Sequence, residues 1–140
     1  MISDTYLAIF IAAIASFGFG AIWYTALSRF WLAARGMPQN AAETKTGDSP
    51  LPFVISFVAL LIMAAALSGV LLHLSRGGTT MSVRSGAITG LLLWLGFVMT
   101  TMAVNHAFHG ERRLLTLIDG GHWLGVLLIQ GAILGWWLAG

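Results

Sequence analysis

The residues best suited to chemistry in this sequence are a carboxylate, an amide and several imidazoles between positions 105 and 122. Asp119 and His122 are three positions apart, so a helix places both on one face, where a hydrogen bond can join them. Asn105 and His106 precede them on the neighbouring apolar run. Such groups are costly to bury in lipid, so they indicate either mutual pairing between helices or a small polar site. A polar site of this kind would suit a proton, an ion or a headgroup.

Composition determines the class of protein in which these residues must work. The chain has 140 residues, of which 58% are hydrophobic and only 9% charged, with a mean hydropathy of +0.87. Because a soluble domain carries about 25% charged residues, this composition predicts an integral membrane protein. There is no cysteine, which excludes disulfides and thiolate sites. Seven scattered Lys and Arg are too few to predict nucleic-acid binding.

Long apolar runs predict the elements that position the polar residues. A helix needs about 20 residues to cross the hydrocarbon core, and four runs are long enough. They predict an all-α integral membrane protein, a four-transmembrane-helix up-down bundle that forms one domain over residues 1–140. The first run follows no basic segment, so we expect a retained helix rather than a cleaved signal peptide. The predicted spans are 6–27, 52–74, 83–109 and 114–139, and a basic polar connection covers 28–51.

The ends of the predicted spans carry recognisable signals. Ser82 is a candidate N-cap of the third span, and Gly110 is placed to end it. Asp48 or Ser49 is expected to cap the second span. Tryptophans are expected at the membrane interfaces, at Trp23, Trp31, Trp94, Trp136 and Trp137.

Small residues on the predicted spans indicate close helix packing. In lipid, glycine and serine at four-residue spacing allow helix backbones to approach each other. The residues predicted to serve this purpose are Ser16, Gly20, Gly86, Gly90, Gly121, Gly125, Gly131 and Gly135.

The distribution of basic residues predicts the orientation. Five Lys and Arg lie in the connections after the first and third spans, against two, Arg76 and Arg84, on the other side of the membrane. By the positive-inside rule, both termini are expected outside and the two basic connections on the cytoplasmic side. An up-down arrangement then brings the ends of the spans together at the cytoplasmic side. The predicted polar cluster there consists of Tyr24, Asn105, His106, Asp119 and His122, with Arg112 or Arg113 as a second counter-charge for the carboxylate.

Several short motifs follow one another along the chain. They are Gly20-x-x-Trp23-Tyr24-x-x-Leu27-x-x-x-Trp31, Trp94-Leu95-Gly96-Phe97, Asn105-x-x-Phe108, Ile118-Asp119-Gly120-Gly121-His122 and Gly131-x-x-x-Gly135-x-Trp137. In this order they resemble a known family of bacterial membrane proteins, the domain-of-unknown-function family DUF1761. The resemblance implies a small four-span bundle in a bacterial inner membrane, with both termini periplasmic in the predicted orientation, and no established activity. Members of the family usually carry an aromatic residue, often Tyr, at the position of His122.

Three functions from different classes remain open. The leading hypothesis is a protein without catalysis that acts through helix packing, as a homo-oligomer or as an accessory subunit of a membrane complex, with the lipid bilayer as its surroundings. The alternative is a small transporter or channel with a shallow polar site at Asp119, Asn105 and Tyr24. The third is a membrane subunit that binds haem, pigment or metal through His106 or His122. No nucleophile–base set, phosphate loop or metal signature indicates an enzyme or a cofactor.

Overall fold

The computed structural model describes residues 2–40 and 49–140, and this part of the chain is folded entirely into helices and their connections. Four of the five helices are long and apolar enough to cross a membrane, which confirms the predicted number and type of long elements. The fifth is a short helix inside the predicted connection. In chain order they are α1 (Ile2–Ala26), α2 (Ser28–Ala34), α3 (Leu51–Arg76), α4 (Val83–Phe108) and α5 (Arg113–Trp137).

Helix ends follow local signals in the sequence. Ser82 caps α4 as expected: its hydroxyl accepts from the Ser85 N–H, and the Ser85 side chain accepts from the Ser82 N–H. Gly110 follows the end of α4. Its φ of +69° lies in the left-handed region of backbone conformation, which favours glycine. At the start of α3, Pro50 is the N-cap, and the Ser49 hydroxyl accepts from the Leu51 N–H at 3.3 Å. Asp48, the other expected cap, lies outside the described residues.

Helix α5 is the central element, and α4 is the least covered. α5 contacts α1, α3 and α4, whereas α4 packs mainly on α5. In the most apolar 18-residue window of each helix, 44% of the residues are buried in α5 and 6% in α4. The middle of α4 also contains one π-helical turn, Trp94–Met99.

Glycines form the crossing of α4 and α5. A Cβ added to Gly135 would lie 3.0 Å from the Gly86 Cα, and a Cβ added to Gly86 would overlap the Gly131 carbonyl. Gly90 faces the Leu127 backbone in the same way. The two backbones therefore touch directly, because no side chain stands between them.

A buried amide connects three helices in the middle of the bundle. Gln130 on α5 is fully buried and donates from Nε2 to Ser16 Oγ on α1 at 3.0 Å and to the Leu60 carbonyl on α3 at 3.1 Å. Ser16 in turn donates to the Ala12 carbonyl at 2.8 Å. Around this polar contact the core is aliphatic and includes Ala12, Ala64, Leu67, Leu71, Leu127 and Leu134.

Candidate functional site

A phenol and a carboxylate meet where α1 ends and α5 begins. The Tyr24 hydroxyl donates to Asp119 Oδ1 at 2.8 Å, and both side chains are half-buried. The sequence favoured a hydrogen bond between Asp119 and His122, one turn apart on α5. The carboxylate is instead bonded by a residue from another helix, because α1 packs directly against this part of α5.

His122 is enclosed by aromatic rings beside this hydrogen bond. Its ring centroid lies 4.9 Å from that of Tyr24 and 4.8 Å from that of Trp123, and it stacks on Phe19 at 6.1 Å. Only 8% of the residue is exposed, and Nδ1 is buried with no hydrogen-bond partner in the described chain. A Cβ on Gly20 would lie 2.8 Å from His122 Nε2, so the imidazole occupies space that the glycine leaves free. We refer to the phenol, the carboxylate and this imidazole as the Tyr24–Asp119–His122 cluster.

Two indoles hold the same turn of α5 from opposite sides. Trp23 on α1 donates from Nε1 to the Ile118 carbonyl at 3.1 Å, and Trp94 on α4 donates to the Gly120 carbonyl at 2.8 Å. Gly121 makes room for the first contact, since a Cβ there would lie 2.8 Å from the Trp23 ring. Both carbonyls lie in a helix, where one lone pair of the oxygen serves the helical hydrogen bond. Each indole N–H therefore donates to the second lone pair of the carbonyl oxygen.

Trp94 was expected near a helix end, at a membrane interface, but it lies elsewhere along its helix. It lies in the π-helical turn, well inside α4, rather than at a helix end. Its bond to Gly120 was missed by sequence reasoning, although a signal existed. An indole N–H in the middle of an apolar run needs an acceptor, and a neighbouring helix is the nearest source of one.

The structure separates the remaining polar residues from the cluster. His106 Nδ1 lies 2.9 Å from Thr116 Oγ1 and joins the end of α4 to the first turns of α5. Asn105 is exposed on the outer face of α4. It lines an open groove of about 440 Å³ together with Phe97, Val98, Thr101, Met102 and His106. Of the five residues predicted to cluster, Tyr24 contacts both Asp119 and His122, His106 lies on a separate contact with Thr116, and Asn105 lies on the surface.

The arginines near this end contact backbone and aromatic groups. Arg112 donates from Nη1 to the Ala33 carbonyl on α2 at 2.8 Å, and the Arg35 guanidinium lies 4.9 Å from the centroid of the Trp31 ring. Neither Arg112 nor Arg113 forms an ion pair with Asp119, the expected counter-charge contact. Across residues 2–40 and 49–140, no three His, Cys, Asp or Glu side chains are grouped so as to hold a metal ion.

The chain belongs to the family described as a protein of unknown function (DUF1761), whose model matches residues 7–135. The matched range covers nearly the whole chain and includes the Tyr24–Asp119–His122 cluster. A search of the curated proteins found no match, and a search of the solved structures found none.

Proposed function

We propose that this member of a family of unknown function is a non-catalytic, multi-pass protein of the bacterial inner membrane that assembles through α4. The insertion we infer is an up-down bundle with both termini on the periplasmic side, supported by the five-against-two bias of Lys and Arg. Membrane location is supported by large apolar side chains that point outward from all four long helices. They include Ile22, Ile62, Leu92 and Leu117.

The observation that carries the assembly proposal is the uncovered face of α4. Its first half is packed on α5 through glycines, whereas the outer face of its second half is exposed. Phe97 is 69% exposed, and nothing lies within 4 Å of a Cβ added to Gly96. Other small residues are exposed on the same side of the helix at Thr100, Ala103 and Ala107.

A second copy of the chain is the partner that we propose for this face. In lipid there is little hydrophobic gain from bringing helices together, so association depends on close backbone approach at small side chains. The Gly96 face offers this approach, and the adjacent groove offers about 440 Å³ for a side chain of the facing helix. An accessory role in a larger membrane complex is the other outcome that an experiment can reveal.

The test is the mass of the full-length protein in nanodiscs or mild detergent, measured by native mass spectrometry. We expect a homo-oligomer, and we expect Gly96→Leu to shift it to the monomer because the new side chain occupies the interface. Gly18→Leu and Gly69→Leu are matched controls, since an added Cβ has no neighbour within 4 Å there either. A strict monomer with no co-purifying membrane protein overturns the proposal, as does an oligomer that all three variants weaken equally.

A small transporter is the second candidate function, and the unpartnered His122 Nδ1 favours it. A buried imidazole nitrogen without a hydrogen bond, beside a half-buried carboxylate, provides a site where a proton or small cation can bind. The test is proton flux into proteoliposomes under an imposed potential, read with an internal pH dye. We expect flux in the parent and its loss in Asp119→Asn. No flux in the parent, or equal flux in the variant, excludes this function.

A further inference from the structure

Helix α2 is held at one end of the bundle, beside the turn that joins α4 and α5. Leu32 and Ala34 are buried on its inner side, while Phe30 is exposed on its outer side. The hydrogen bond from Arg112 to the Ala33 carbonyl ties α2 to the start of α5. The short helix is therefore a fixed part of this end of the molecule.

This end is rich in exposed positive charge. Arg29 and Arg35 lie on or next to α2, and Arg112 and Arg113 lie at the start of α5. None of the four forms an ion pair within the described residues. The carboxylate that lies next to them in the sequence is that of Glu111, which is exposed and directly precedes Arg112. Among the residues that the structure describes at this end, four arginines and one glutamate give a formal charge of +3.

Exposed aromatic and aliphatic side chains lie among these arginines. Phe108, at the end of α4, is 89% exposed, and Phe30 and Leu114 are also exposed. Guanidinium groups next to outward-facing apolar side chains are typical of a surface at the boundary between headgroups and acyl chains. Guanidinium also binds phosphate through paired N–H groups.

We propose that the surface formed by Arg29, Arg35, Arg112, Arg113, Phe30 and Phe108 binds the headgroups of anionic phospholipids. The guanidinium groups bind the lipid phosphates, and the phenylalanines enter the acyl boundary beside them. The inference rests on the membrane location in the proposed function and is independent of self-association through α4. The proposed topology places α2 on the cytoplasmic side, so the bound lipid would come from the cytoplasmic leaflet.

The experiment measures lipid binding by the full chain in detergent, using native mass spectrometry with phosphatidylglycerol or phosphatidylcholine as the added lipid. The test variant is Arg35→Gln/Arg113→Gln, which leaves the Arg112–Ala33 hydrogen bond in place. The control is Arg76→Gln/Arg84→Gln, which removes the same charge from the opposite end of the bundle. Inorganic phosphate is added in a separate series as a competitor.

We expect preferential binding of phosphatidylglycerol, with about a fivefold loss of affinity for each arginine removed from the test surface, equivalent to about 1 kcal/mol each. The control should bind like the parent. Equal losses in both variants, no preference between the lipids, or complete displacement by millimolar inorganic phosphate overturns the proposal. Extraction of the protein from native membranes by alkaline carbonate overturns the membrane location instead, so the two failures are distinguishable.

Discussion

The hydroxyl of Tyr24 donates a hydrogen bond to Asp119 Oδ1 across 2.8 Å, although 95 positions separate the two residues. The preceding residue, Trp23, bonds the Ile118 carbonyl, so two successive side chains of α1 hold the same turn of α5. Trp94 holds that turn from α4. Three hydrogen bonds from side chains of α1 and α4 thus meet on residues 118–120, where they fix the rotation of α5 relative to both neighbours.

Replacing Tyr24 by Phe should lower the free energy of unfolding by about 0.5–1.5 kcal/mol, because Asp119 loses its phenolic donor while the ring is kept. The measurement is SDS-induced unfolding in mixed micelles. Tyr6→Phe is the matched control, since Tyr6 is exposed near the other end of α1. Equal effects of the two substitutions would show that the hydrogen bond contributes nothing.

Ser16→Ala should destabilise the bundle by about 0.6–2 kcal/mol, because Gln130 loses one of its two acceptors inside the core. Ser56→Ala is the control: Ser56 also donates to the carbonyl four residues earlier at 2.8 Å, but it is exposed and bonds no other helix. Its effect should stay within about 0.5 kcal/mol. A double-mutant cycle with Gln130→Leu measures the coupling between the two side chains. If Ser16→Ala costs as much in the Gln130→Leu variant as in the parent, the two residues are not coupled.

Gly131→Ala should separate α4 from α5 and lower the free energy of unfolding by about 1–3 kcal/mol or more. The added Cβ would lie 2.8 Å from the Gly86 carbonyl carbon, and a backbone cannot move aside as a flexible side chain can. Gly69→Ala adds the same methyl group where nothing lies within 4 Å, so it should not destabilise. The same unfolding assay compares them, and equal stability of the two variants would refute direct backbone contact.

Trp94→Phe should lower the free energy of unfolding by about 0.5–1.5 kcal/mol, because the ring stays apolar but the donor to the Gly120 carbonyl is lost. Trp136→Phe is the control at an exposed indole. Trp94 fluorescence offers a second readout in a variant that retains only this tryptophan. The emission that is typical of the packed indole should disappear in the same transition as the rest of the fold. If it disappears earlier, the contact between Trp94 and α5 opens independently of global unfolding.

Much of the fold could be predicted because helix existence depends on local properties. Run length and hydropathy predicted four long helices, since a helix satisfies its own backbone hydrogen bonds. Similarly, an N-cap serine predicted the start of α4. The site was predicted only in part. Tyr24, Asp119 and His122 do lie together, but Asn105 faces outward, although sequence position places it at a similar level.

The sequence by itself determined the number, the length and the apolar character of the helices, together with the level at which each polar residue stands along its helix. Only the tertiary structure decided which way each helix is turned about its own axis. That rotation depends on contacts between distant residues, such as Gly86 with Gly131 and Gly20 with His122. For this reason the partner of Asp119 is a tyrosine from α1 rather than the histidine one turn away, and the partner of the Trp94 indole is a backbone carbonyl of α5.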